Sequence, residues 1–495
     1  MGITLILRAQ LEATYNPQIF WEPETCLTAP PYGNSLEYAP EEPKVAVTSD
    51  GQVHIVWNSD RPNLRTPQVY YKRFVPGAGW TEDTCISADL AQLHMCAYPG
   101  IAADSQDNIH VVWREYPEGY HIWYKMRRAD GVWDSLSTLL SVGSSTLPRG
   151  WAKVACTPDG NVHVVWMEWY PLYGNWIVYR QRIGDVWTPP VTVDSVDTTY
   201  FIQIMSLAAG RDNRVHLVYD YGRIGVKPLV CYRCRSGGLW GPREWVLPDA
   251  DTFLREEPRI AVNPATNEPH ICWLGRPAQA PPIPAVYHTY KCNNIWQPYD
   301  TVSPADSFYQ SNVVLAFTRD GIGHLVWSRN IIYPRRSQTC HRERSISGEW
   351  LPASVRADTG FPNYQFATTG GNSENYAHLY VVRDNSVSGS AQIYFLHGLP
   401  GPQSIEWQNE QFGAGLTSNL LISGSGQIWY AVERSCQVEL ALYDVLGRKL
   451  RVLEQGERKP GRHSATIPDD ISTGVYFVCQ WTPDARDVKK VVLVR

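Results

Sequence analysis

The stretch Asp159-Gly-Asn-Val-His-Val-Val-Trp166 recurs along the chain at a nearly fixed interval. It returns as Asp50-Gly-Gln-Val-His-Ile-Val-Trp57, Asp107-Asn-Ile-His-Val-Val-Trp113 and Asp212-Asn-Arg-Val-His-Leu-Val-Tyr219. Two further copies are Asn267-Glu-Pro-His-Ile-Cys-Trp273 and Asp320-Gly-Ile-Gly-His-Leu-Val-Trp327, with a worn one at Tyr376-Ala-His-Leu-Tyr-Val381. The shared histidines are His54, His110, His163, His216, His270, His324 and His378, spaced 56, 53, 53, 54, 54 and 54 residues apart. One period held over seven copies means one supersecondary unit stacked on itself.

Each unit reads as antiparallel strands. An apolar strand (Val45-Ala-Val47, Ile101-Ala-Ala103, Ile260-Ala-Val262) passes through Asp-Gly or Asp-Asn into the His/Trp strand. Asp-Gly tolerates the positive φ of a two-residue hairpin turn, which is the turn expected here. A third strand follows (Val69-Tyr-Tyr-Lys72, Ile122-Trp-Tyr-Lys125, Ile177-Val-Tyr-Arg180, Val286-Tyr-His288), then a short turn onto Trp80, Trp133, Trp187, Trp240, Trp296 or Trp350 and a fourth strand. Four strands in about 54 residues, seven times over, predict an all-β chain built on a seven-bladed β-propeller. Trp21-Glu-Pro-Glu-Thr-Cys-Leu-Thr28 reads as a fourth strand with no blade before it. It is expected to complete blade seven and hide two sheet edges. The rival, Trp407, lies 13 residues after Tyr394, where blades two and five use 9. The expected domains are an N-terminal segment (1–18), a propeller (19–410), a linker near 400–415, and a small β-sandwich (416–495).

Composition narrows the class. The 495 residues carry 44 Lys+Arg against 49 Asp+Glu, a formal charge of −5, with no basic block, which argues against nucleic acid or an anionic membrane as the main partner. No apolar run approaches the roughly 18 residues of a transmembrane span. A hydrophobic fraction of 43% is ample for a large core, so disorder is excluded. Eleven cysteines are too few for a disulfide framework. Cys231 and Cys234 form the one C-x-x-C, but in a strand they face opposite ways, so no metal and no cofactor are expected there. A residue repeated in every blade serves the blade. The histidines are expected to lock neighbouring strands by a bond to backbone, the following Trp to pack between blades, and Asp197, Asp251, Asp306 and Asp358 to form turns. At the N-terminus, Ile3 to Leu7 give five apolar-leaning residues, too short for a signal-peptide core.

Two resemblances follow. Asp130-Gly-Val-Trp133, Gly184-Asp-Val-Trp187 and Gly237-Gly-Leu-Trp240 resemble worn Asp-box (BNR) turns of sialidase-like propellers, without the Ser/Thr and the wider spacing of that pattern. The last 80 residues carry Ile428-Trp-Tyr-Ala-Val432, Val438-Glu-Leu-Ala-Leu-Tyr-Asp444-Val-Leu-Gly447-Arg448, Gly461-Arg-His463, Thr473-Gly474-Val-Tyr476-Phe477 and Lys489-Lys-Val-Val-Leu-Val-Arg495. This order resembles the type A C-terminal sorting domain of type IX-secreted bacterial proteins, an Ig-like β-sandwich. The resemblance implies export, recognition of residues 416–495 by secretion machinery, and release or attachment at the cell surface; a clipped start would then account for the short apolar segment. Cys436 and Cys479 both fall in this module, and a disulfide between them stays open.

Two function classes fit: a secreted binding or scaffold propeller, with glycans as one ligand class, or a sialidase-type glycoside hydrolase acting on acidic sugars. The tight turns belong on one face of the ring and the variable loops on the other. The variable face gathers Tyr116, Tyr120, Trp169, Tyr170, Tyr173, Trp176, Tyr221, Arg223, Tyr333, Arg335 and Arg336. Two residues beyond the aromatic of each second strand lie Ser59, Glu115, Glu168, Tyr221, Gly275, Arg329 and Arg383, with Asp220 and Arg276 one residue away. Blade rotation places equivalent positions in a ring, so these side chains are expected to look into one cleft. Paired arginines there could hold a sugar carboxylate. The sialidase resemblance implies Tyr221 as nucleophile and Glu168 as its base.

Overall fold

The computed structural model describes residues 19–21, 25–27, 45–59, 66–76, 78–90, 94–116, 120–144, 149–223, 226–247, 253–277, 285–304, 308–319, 321–331, 336–358, 367–370, 379–387, 390–400, 420–422, 427–432, 435–443, 449–459, 461–468, 470–472, 474–482 and 486–493. The chain divides into two compact units, one of them Ile19–Leu399 and the other containing Pro400–Arg495.

Within Ile19–Leu399 the described strands form seven antiparallel sheets, numbered 1 to 7 in chain order from the one that begins at Val45–Val47. Sheet 3 gives the plan: Arg149–Cys156, Val162–Tyr170 and Gly174–Ile183 pair in order, and an outer edge is split into Val186–Trp187 and Val191–Val196. First strands of neighbouring sheets touch in an unbroken cycle. It runs from Val45–Val47 through Met95–Ala103, Arg149–Cys156, Met205–Ala209, Phe253–Val262, Tyr309–Phe317 and Ala367–Gly370, and back to Val45–Val47. A ring of sheets with the first strands innermost is a β-propeller. Its last sheet is completed from the start of the chain: Ile19–Trp21 and Thr25–Cys26 both pair with Ser390–Pro400, Thr25 opposite Phe395. The Trp21 strand therefore closes the ring as expected. Trp407 and His378 lie outside the described residues.

The core sits in the seams between sheets. Trp113, fully buried, packs with Val56, Val69 and Tyr71 of sheet 1, and Trp166 packs with Val112, Ile122 and Tyr124 of sheet 2. The second-strand tryptophans thus fill the seams, as their face of the strand requires. A second aromatic device repeats beside them. The outer-strand Trp of one sheet meets the third-strand ring of the previous sheet edge-on: Trp133 on Tyr71, Trp187 on Tyr124, Trp240 on Tyr179, Trp296 on Tyr232 and Trp350 on His288. Their centroids are 4.9–5.4 Å apart. Trp80 meets Phe395 in the same way across the closing seam, at 4.9 Å. Edge-to-face geometry sets the positive ring edge against the negative ring face.

The six described repeat histidines are buried, but their partner is not the backbone. His54, His110, His163 and His216 place Nδ1 2.7–2.8 Å from the hydroxyls of Tyr71, Tyr124, Tyr179 and Tyr232 on the third strand. In sheets 5 and 6 the partner is another imidazole, His288 at 3.0 Å from His270 and His341 at 3.1 Å from His324. The expectation failed because the backbone groups of a second strand are already paired with strands on both sides. The tautomer follows from the next bond. The Thr48 hydroxyl donates to Asp50 at 2.6 Å, so it accepts from His54 Nε2–H at 3.3 Å, and Nδ1 accepts from Tyr71 O–H. Thr157 repeats this with Asp159 and His163. Burial holds His54 down to about 3 and His163 and His216 down to about 4, so all three are neutral at ordinary pH.

The Asp-Gly turns also differ from expectation. Thr48 N–H bonds to Gln52 C=O and Gly51 N–H to Thr48 C=O, with Gly51 at φ 80°. This is a three-residue loop, a type I turn closed by a left-handed residue. The pattern recurs around Asp107 (φ 64°), Gly160 (80°), Asn213 (61°) and Gly321 (90°), and one residue longer at Asn267 (59°). Where this residue is Asp or Asn, its side chain accepts from the turn of the preceding sheet: Asp107 from Ser49 N–H, Asn213 from Asp159 N–H, Asn267 from Arg211 N–H. Cys231 and Cys234 point to different seams, Cys231 into the seam with sheet 3 and Cys234 against the seam with sheet 5.

In the second unit, Leu420–Ile422, Gln427–Val432 and Gly461–Thr466 form one sheet. Lys449–Arg458, Cys436–Tyr443, Gly474–Trp481 and Arg486–Leu493 form another. Alternating residues of both (Ile428, Tyr430, Val438, Leu440, Leu442, Val478) share one core. Among the described residues no disulfide forms, and Cys436 and Cys479 each keep a thiol.

Candidate functional site

The first strands enter from the loop face, and there they are irregular. Sheets 2, 3, 5 and 6 each skip two residues of register on the first strand, at Tyr98, Trp151, Glu257 and Asn312. Each of these four residues has a left-handed φ of 43–56°. Such bulges re-aim side chains and cluster near sites. In sheet 4 the corresponding strand is interrupted, and the Asp220 carboxylate accepts from Gln203 N–H at 2.8 Å and Ile204 N–H at 2.7 Å. Asp220, 4% exposed, therefore holds the break together.

The bulges of sheets 2 and 3 bring a cluster together. Arg114, next along the strand from Trp113, lies under three tyrosine rings: Tyr116 at 3.8 Å, Tyr120 at 5.0 Å and Tyr98 at 5.1 Å. It is 8% exposed, and among the described residues it has no carboxylate and no hydrogen-bond acceptor, its Nε being buried without a partner. Burial lowers its pKa to about 10, so it stays charged. Across the seam is Gly150, where a Cβ would strike the Trp169 ring and lie 3.1 Å from an Arg114 Nη. Only glycine admits both side chains. Trp151 and Trp169 meet at 5.2 Å.

Behind this lies Glu168, 7% exposed, with Arg149 Nε at 3.0 Å, Trp166 N–H at 2.8 Å and the Tyr170 hydroxyl at 2.5 Å donating to it. Burial first, then Glu168, raises the Tyr170 pKa. The phenol beside Glu168 is thus Tyr170. Tyr221 stands in sheet 4, packed by Tyr200 at 5.0 Å, Trp245 at 5.1 Å and the Arg243 guanidinium at 4.8 Å. The remaining ring positions are held within their own sheets. Glu115 bonds His94 and Trp123, Ser59 is buried opposite Gln68, and a Cβ on Gly275 would strike the Tyr287 ring. Arg329 lies over Phe308 at 4.2 Å and donates to Gln338 at 3.1 Å. Arg276 and Arg383 sit on second strands, and their side chains lie outside the described residues.

The structure therefore gathers Tyr116 and Tyr120 in one cluster and Glu168, Trp169 and Tyr170 in the adjoining one. The sequence reading missed Arg114, Arg149, Gly150, Tyr98 and Trp151. A positive residue directly after the repeated Trp, in a stretch holding Tyr116 and Tyr120, was the available signal for Arg114.

Solved structures resemble this chain to different degrees. An ulvan lyase, a polysaccharide lyase bound to -[GlcA(1-4)Rha3S]-, superposes with a TM-score of 0.54 at 11% identity, over 75% of this chain and 95% of its own. An alpha-L-arabinanase of Penicillium chrysogenum complexed with arabinobiose gives 0.46 at 11% identity, over 78% and 99%. The Trypanosoma rangeli sialidase gives 0.40 at 7% identity, over 96% and 91%. No known protein family matches the chain. No curated protein matches its sequence. The likeness to the lyase is one of fold, and it sets this chain among the β-propellers.

Proposed function

We propose that the chain is a seven-bladed, exported glycan-binding propeller that takes a carboxylate-bearing sugar at the seam of sheets 2 and 3. The carrying observation is Arg114: a charged guanidinium caged by three tyrosines, with no acceptor among the described residues. A carboxylate offers two parallel acceptors matched to the guanidinium fork, and the aromatic rings offer faces for a pyranose. The lyase that shares the fold is bound to a saccharide containing GlcA, a carboxylated sugar, which supports this ligand class. Residues 416–495 are proposed to be the type IX sorting domain that sends the protein to the cell surface or medium, on the sequence pattern from Ile428 to Arg495. A host with that machinery should export the chain, and cytoplasmic retention of full-length protein would overturn this part.

Arg114→Leu should lower affinity for a glucuronate-containing polysaccharide at least tenfold and leave the thermal midpoint nearly unchanged. Arg329→Ala with Arg383→Ala tests the ring of second-strand arginines in parallel. Unchanged binding in Arg114→Leu would remove the cluster from consideration. Hydrolysis of an acidic sugar is the second reading, favoured by the Tyr170–Glu168 bond of 2.5 Å. Tyr170→Phe would then abolish release of the sugar while sparing its binding.

A further inference from the structure

The opposite end of the propeller, the tight-turn face, holds a cleft of 880 Å³ between sheets 4 and 5. Two replacements in the repeat open it. The residue at the start of the described tight turns is Thr48, Asp104, Thr157, Asn263 or Thr318 in sheets 1, 2, 3, 5 and 6, the first three of them bonded to the histidine Nε2, and in sheet 4 it is Gly210. The long basic residue near the end of the third strand is Arg127, Arg182, Arg235 and Arg344 in sheets 2, 3, 4 and 6, and in sheet 5 it is the slimmer Lys291.

A Cβ on Gly210 would lie 3.5 Å from His216 Nε2, and among the described residues that atom has no hydrogen-bond partner, although the ring is 2% exposed and its Nδ1 is held by Tyr232 at 2.7 Å. His270 and His324 also keep Nε2 unbonded, but neither borders the cleft. With the tautomer that Thr48 and Thr157 fix in sheets 1 and 3, His216 Nε2 is an N–H donor directed at the cleft. The indole Nε1 of Trp240, also bordering the cleft, is a second buried donor without a partner among the described residues. The cations of the wall are already matched: Lys291 with Glu244 at 2.6 Å and Arg214 with Asp212 at 3.4 Å. Glu268 then leaves the lining one negative charge in excess, which disfavours an anion. What remains to be satisfied is a set of buried donors facing carboxylate and amide acceptors, without net positive charge. Hydroxyl groups, each donor and acceptor at once, complement such a wall.

We propose that this cleft is a second ligand site, and that it takes an uncharged polyhydroxylated ligand, a neutral sugar unit. It is independent of Arg114 and of the carboxylated sugar proposed there.

The test is saturation-transfer NMR on the full chain with glucose, galactose, mannose, rhamnose, arabinose and xylose, and glucuronate as the anionic control. At least one of the six neutral sugars should receive saturation from the wild type. Gly210→Thr should abolish that signal, because the new hydroxyl takes the ligand's place against His216 as Thr48 and Thr157 do in sheets 1 and 3. Gly210 is not in the left-handed region, and the atom a Cβ would press, Asp212 Oδ1 at 2.7 Å, ends a flexible side chain, so the variant should fold. Should it not, Glu268→Ala is to weaken the signal at least tenfold. Arg114→Leu should leave it unchanged. Absence of transfer to every neutral sugar, equal transfer in Gly210→Thr, or transfer to glucuronate through this cleft would each overturn the proposal.

Discussion

Sheets 1 to 4 meet the buried second-strand histidine with a tyrosine hydroxyl, whereas sheets 5 and 6 meet it with a second imidazole. The two solutions are geometrically interchangeable. Tyr232 and His288 occupy the same register position, and each receives the edge of the next sheet's tryptophan at 5.1 Å. What the seam demands is a flat ring with a heteroatom directed at the first histidine. The chemistry, however, is not equivalent, because a tyrosine takes up no proton in mild acid and an imidazole does.

Acid should expose that difference most strongly. His54, His163 and His216 are neutral in the fold down to about 3 or 4, and burial also lowers His270, His288 and His324. Unfolded, each titrates near 6.5 and binds a proton that the native state refuses. Their stabilisation is therefore complete above about pH 6.5 and is lost as pH falls towards 4, on the order of 1 kcal/mol per histidine per pH unit. Urea midpoints measured between pH 7 and pH 4.5 should fall steeply, and His288→Tyr should flatten the slope. A pH-independent midpoint would refute the account.

His163→Phe comes next. It strands the Tyr179 and Thr157 hydroxyls in the seam, at an expected cost of about 2–4 kcal/mol in chemical denaturation. Tyr179→Phe removes the hydroxyl but keeps the ring against Trp240, so about 1 kcal/mol is expected. A larger loss for Tyr179→Phe than for His163→Phe would show that the hydroxyl acts elsewhere. The smallest effect extends the contrast to the turns. Asn213→Gly keeps the left-handed backbone but removes the acceptor for Asp159 N–H, matching the turns that already use Gly51, Gly160 and Gly321. A loss of roughly 0.5–1 kcal/mol is expected. Its signature is faster amide exchange at Asp159.

The ring and its closing strand were legible because period and edge-hiding are properties of the whole chain, which a pattern of histidines and tryptophans reports without knowledge of contacts. Partner identity was not. That His54 finds Tyr71, 17 residues on, and not a carbonyl depends on strand register. The tight turns proved one residue longer than expected because Asp-Gly also suits a loop with a single left-handed residue, and the bonds at Thr48 decide between the two. Arg114 escaped notice because its isolation is a fact about neighbours: the sequence shows an arginine, and only the fold shows that no carboxylate among the described residues is near. Glycine carries still less signal. Gly150 and Gly210 matter for what approaches them across a seam, and nothing adjacent in sequence records this.

The strand Ile19–Trp21 joins its sheet only by pairing with Ser390–Pro400. In biosynthetic terms the ring cannot be sealed until about 380 residues (399 − 19) separate its two ends. At ribosomal rates of about 5–20 residues per second that is a wait of roughly 20–80 s. Throughout it Ile19–Trp21 has no strand to pair with, and Ser390–Pro400 emerges with an open edge, the surface on which strands of other chains add. A nascent propeller is therefore a client for a holding factor, and moving residues 19–27 to follow residue 400 by circular permutation should shorten that dependence, read as a higher soluble yield at high expression.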